Sequence, residues 1–172
     1  MTIRDALRQT TGRFEQHGVS SPRLNAEVLL CHCLSVDKTY LYSHDERELT
    51  SDELQRLEDA TYERISGVPV QYIVGRQEFF GRYFTVNPSV LIPRPETELL
   101  VEKVISLKPT EGSRLIDVGS GSGCIGITLA LEVANLRVTL TDISFEALQT
   151  ARINAANLGA RVEIACMDLL DA

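Results

Sequence analysis

Three glycines at alternate positions stand between a β-type run and a helical one, in Asp117-Val118-Gly119-Ser120-Gly121-Ser122-Gly123. Glycine lets a chain turn sharply out of a strand and lets its backbone approach a ligand that a Cβ would obstruct. The preceding run, residues 114–118, reads as a strand, and residues 123–133 read as an apolar helix. A strand over 137–141, an amphipathic helix over 144–158 stopped by Gly159, and a strand over 161–166 follow. This β-α-β-α-β order predicts an α/β fold with a doubly wound parallel sheet and right-handed crossovers. A dinucleotide loop would read G-x-G-x-x-G, and its third glycine position holds Cys124 here, which disfavours a nicotinamide dehydrogenase.

Upstream the pattern is helical. Thr2 with Asp5, Ser21 with Pro22, Asp37, and Thr50 with Glu53 each read as a helix start, and Gly18 and Gly67 as stops. Residues 1–75 are therefore expected to form a small helical bundle, with eight basic and twelve acidic residues. Residues 76–92 read as a β-hairpin linker turning at Gly81, and residues 93–172 as the α/β domain, with Pro95 in the first turn of a helix reaching Leu107.

Composition narrows the function classes. Seventeen Lys and Arg against 24 Asp and Glu leave a net charge of −7, which argues against sequence-independent binding to nucleic acid. With 44% hydrophobic residues the chain has the apolar mass for a core. No apolar run is long enough for a membrane span and no signal-peptide pattern opens the chain, so a cytoplasmic protein is expected, without membrane or direct nucleic-acid partners. Cys31, Cys33, Cys124 and Cys166 lack the spacing of a zinc module or disulfide framework. His17, His32 and His44 stand in no catalytic context, so no catalytic or metal-binding residue is assigned.

Two acids complete the pattern. Asp142 ends the second strand, 23 positions after Gly119, and a doubly wound sheet puts it beside the glycine loop at the carboxyl edge. Asp168 ends the third strand, with Leu169 after it. Read only as residues, the loop can be a structural turn, Asp142 a helix cap (a role Ser144 fits better), and Asp168 an ordinary loop acid.

Several segments resemble one family. Pro69-Val70-Gln71-Tyr72-Ile73-Val74-Gly75, Phe79-Phe80-Gly81, Val90-Leu91-Ile92-Pro93-Arg94-Pro95-Glu96-Thr97-Glu98 and the glycine loop look like those of the HemK/PrmC-type release factor glutamine methyltransferases. The resemblance implies a helical substrate-recognition domain and the first half of a class I, Rossmann-like methyltransferase sheet. It implies S-adenosyl-L-methionine as cofactor and peptide chain release factors as partners, methylated on the side-chain nitrogen of the glutamine in their Gly-Gly-Gln loop. Gly119, Ser120, Gly121, Ser122 and Gly123 then match the loop at the methionine part of the cofactor, Asp142 the ribose acid, and Asp168 and Leu169 the adenine end. The family's Asn-Pro-Pro-Tyr signature is absent from this sequence. The expectation is therefore a front portion of such an enzyme, with the first strand of the sheet at an edge. An N6-adenine nucleic-acid methyltransferase shares that loop chemistry and is the alternative enzyme; for this stretch, a non-enzymatic binding module is the other.

Overall fold

The Thr2 hydroxyl accepts from the Asp5 N–H at 3.2 Å and starts helix α1 (Ile3–Gln16). This computed structural model describes residues 1–110 and 112–169. Helices α2 (Pro22–Leu34), α3 (Lys38–Ser43), α4 (Ser51–Ile65) and α5 (Val70–Val74) complete a first unit, Met1–Val74. Thr50 and Glu53 form the expected capping box of α4, each side chain bonded to the other's backbone N–H. Asp37 caps α3 through the Tyr40 N–H at 2.7 Å. Ser21 does not cap α2. It stands in the left-handed region at φ 48°, and the Asn25 side chain holds the turn by donating to the Ser20 and Ser21 carbonyls.

Ile3, Phe14, Ala26, Leu29 and Leu30 are fully buried and form the centre of this bundle. Beside them lies one buried charge. The Glu27 carboxylate, 6% exposed, receives Arg23 at 2.9 Å, Lys38 at 2.7 Å and the Tyr42 hydroxyl. Burial pushes its pKa up, but the hydrogen bonds from Lys38, Tyr42 and Arg23 outweigh that and bring it down to about 2.

The second unit runs from Gly75. Strands β1 (Arg76–Phe79) and β2 (Arg82–Thr85) pair antiparallel around Phe80-Gly81, both at positive φ, as a two-residue hairpin turn demands. The hairpin read as a linker packs as part of this unit. Phe79 and Phe84 meet edge to face within its core, the Phe80 N–H donates to Glu98, and Arg82 pairs with Glu132 at 2.6 Å. Pro95–Thr97 makes a single 3-10 turn, so α6 (Glu98–Ser106) begins three residues beyond Pro95.

Strands β3 (Arg114–Val118), β4 (Arg137–Asp142) and β5 (Val162–Cys166) form a parallel sheet in the order β3-β4-β5, connected by α7 (Cys124–Glu132) and α8 (Phe145–Leu158). Val138 and Leu140 bury the face against α7 and α8, while Ile116 and Val118 on the other face are 55% and 42% exposed. Arg114 and Arg137 are register partners, and Arg161 directly precedes Val162, the partner of Val138. The three arginines thus form an exposed row at the amino ends of the strands. No helix among the described residues is long and apolar enough to cross a membrane.

Candidate functional site

The carboxyl ends of β3 and β4 bring the glycine loop and Asp142 together. The Gly121 N–H donates to Asp142 Oδ2 at 2.9 Å, and the Ser120 N–H donates to the Thr141 carbonyl at 2.9 Å. A Cβ at Gly119 or Gly121 would meet no atom within 4 Å beyond its immediate chain neighbours, so packing does not demand glycine there. Their positive φ, 69° and 54°, does. Gly126, inside α7, has the opposite reason. Its Cβ would fall 2.3 Å from Leu140 Cδ2, and the helix can approach β4 only without it.

Asp142 caps nothing by itself. Its Oδ1 accepts from the Ser144 N–H at 2.9 Å, while the Ser144 hydroxyl caps α8 through Ala147. A carboxylate has about four acceptor positions, so roughly two stay open after these bonds. The Met167 N–H donates to the Asp142 carbonyl at 3.1 Å, which draws the chain leading to Asp168 to the same edge. Asp168 and Leu169 are exposed, and Leu169 stands at φ 52°. The Ser120 hydroxyl is buried in the loop without a hydrogen-bond partner among the described residues.

Two further residues shape this edge. Asp117 accepts from the Gly126 N–H at 2.9 Å. Burial pushes its pKa above the ordinary carboxylate range, against the pull of that N–H, and the nearby Asp142 charge adds to the rise. Asn154, on α8, bonds the loop at Ser122 and the hairpin at Thr85, and nothing in the sequence pattern pointed to it. Among the described residues no group of three or more His, Cys, Asp or Glu could hold a metal ion.

Residues 5–75 match the family model described as the PrmC N-terminal domain, and residues 95–172 match the methyltransferase small domain. The release factor glutamine methyltransferase of Koribacter versatilis is 51% identical over 173 residues, covering 100% of this chain and 62% of that protein. Over its whole length the chain is similar to release factor glutamine methyltransferases. The release factor glutamine methyltransferase of Chlorobaculum tepidum is 42% identical over 179 residues, covering 99% of this chain and 61% of that protein. The chain thus spans about three fifths of the curated relatives it matches. A partial structural likeness goes to the Pyrococcus abyssi tRNA (uracil-54, C5)-methyltransferase crystallised with S-adenosyl-L-homocysteine. It has 23% identity and a TM-score of 0.45, and covers 54% of this chain and 23% of that one. The Ile92-to-Glu98 segment buries Ile92 and places Glu98 under the hairpin turn.

Proposed function

We propose that the protein methylates the side-chain nitrogen of the glutamine in the Gly-Gly-Gln motif of peptide chain release factors, using S-adenosyl-L-methionine, in the cytoplasm where those factors work. The observation that carries this reading is the 51% identity with a release factor glutamine methyltransferase, which runs through both units. The site supports the cofactor. Asp142 keeps acceptor positions for the two ribose hydroxyls, residues 119–123 leave their surface open at Gly119 and Gly121, and the unpartnered Ser120 hydroxyl offers a further polar contact. Asp168 and Leu169 would take the adenine, one as an acceptor and the other as an apolar face. Bound there, S-adenosyl-L-methionine supplies an activated methyl on its sulfonium. The residues of this chain bind and orient, so their share of the rate is proximity and alignment. The helical unit would hold the release factor.

Calorimetric titration with S-adenosyl-L-homocysteine tests the cofactor half: one saturable site is expected, and NADH binding with equal affinity would overturn it. For the substrate half, a release factor incubated with the full-length protein and S-adenosyl-L-methionine should gain one methyl group on the Gly-Gly-Gln glutamine. A methyl group found only elsewhere on the factor, or only on nucleic acid, would refute it.

A further inference from the structure

Asn154 is 1% exposed and spends its whole side chain on backbone. Its Oδ1 accepts from the Thr85 N–H at 2.7 Å, and its Nδ2 donates to the Thr85 carbonyl at 3.0 Å and to the Ser122 carbonyl at 2.9 Å. Both amide protons and one oxygen lone pair are thereby engaged. The bond to Ser122 completes the fixing of one peptide unit. On its other side, the Gly123 N–H donates to the Ser120 carbonyl at 2.8 Å. That peptide enters Gly123, which stands at φ 77° and opens α7. Without Asn154, the Ser122 carbonyl, on a residue 2% exposed, would lose a buried donor, and the turn would lose the contact that orients it.

We propose that Asn154 is the positioning residue of the glycine loop, acting on the cofactor site through the Ser122 carbonyl and tying that loop to the hairpin. A second bond to α8, from Asn87 just after β2 to the Thr150 hydroxyl at 2.9 Å, does not touch the loop and supplies the control. The predicted effect on ligand binding rests on the cofactor reading above. The effect on the loop's backbone does not.

Three variants of the full chain test this, Asn154→Ala, Asn154→Asp and Asn87→Ala, by calorimetry with S-adenosyl-L-homocysteine and by amide hydrogen exchange. Asn154→Ala should weaken binding about tenfold or more and speed exchange of the Ser120, Gly121 and Gly123 amides. Asn87→Ala should change affinity by less than about twofold, because losing this tie to α8 alone leaves the loop's bonds whole. Asn154→Asp lacks both donors when ionised and regains one when protonated, so its affinity should approach the native value as pH falls toward about 5. This profile is a readout that loss of packing would not give. Native affinity and native loop exchange in Asn154→Ala would overturn the proposal, as would equal weakening by Asn87→Ala. Should the native chain bind no S-adenosyl-L-homocysteine, the cofactor reading fails and the exchange data alone decide the role of Asn154.

Discussion

Asp142 serves two backbone amides at once, Gly121 and Ser144, so its removal affects the loop and any ligand together. Asp142→Ala is expected to weaken S-adenosyl-L-homocysteine binding by about 1.5–3 kcal/mol, the range for hydrogen bonds to a charged group. Calorimetry reads it, and unchanged affinity would remove Asp142 from the site. In the helical unit, Glu27 contributes to acid sensitivity, beside Asp5 and Glu53, whose pKa values are also lowered. Its folded pKa of about 2 lies below the ordinary 4.5, so the unfolded chain takes up the proton first as pH falls. The stabilisation is full above about 4.5 and is lost as pH drops toward 2. Glu27→Gln should therefore flatten the acid-induced fall in stability over that window and cost about 1–3 kcal/mol at neutral pH, by denaturant titration. A native acid profile in Glu27→Gln would show that the network carries no linkage. Asp142 was legible in the sequence because it ends a strand at a countable distance from the loop. Asn154 was not, because its partners are backbone atoms of residues far off in the chain. For the same reason, homologues would hold position 154 constant with no matching change at 85 or 122.

Glycine has opposite uses in two of the helices. Gly12, inside α1, would place a Cβ with no atom within 4 Å, whereas Gly126 would drive one into Leu140. Gly12→Ala should gain about 0.5–1 kcal/mol from helix propensity. Gly126→Ala gains the same propensity but overpacks a core contact, which costs about 1–3 kcal/mol, so a net loss is expected. Paired thermal melts would show the two substitutions moving Tm in opposite directions; a shift of the same sign in both would refute the packing argument. Elements set by local chemistry were readable: the Thr2 and Thr50 starts, the hairpin at Gly81, and the alternation from Arg114 onward. Ser21 misled because a serine before proline looks like a cap, and its left-handed backbone is held instead by Asn25. The hairpin's allegiance was also hidden. What draws it into the second unit is Phe79 and Phe84 packing against residues far along the chain.

At the scale of the whole chain, β3 is an edge of the sheet among the described residues, and it carries Ile116 and Val118 on an open face. Exposed apolar edges favour pairing with a second chain. Residues 1–172 should associate with rising concentration in sedimentation velocity, and Ile116→Lys should suppress it; undiminished association in the variant would place the contact elsewhere. Parallel strands also sort charge by end. Asp117, Asp142 and Asp168 lie at or just beyond the carboxyl ends, and the row of Arg114, Arg137 and Arg161 at the amino ends. A five-residue strand spans roughly 17 Å, more than the Debye length of about 10 Å at 0.1 M salt, so the two poles act separately on an approaching ion. S-adenosyl-L-methionine carries a net positive charge and S-adenosyl-L-homocysteine carries none. The acidic pole should therefore steer only the first, and its association rate in stopped flow should fall with ionic strength while that of the second stays level.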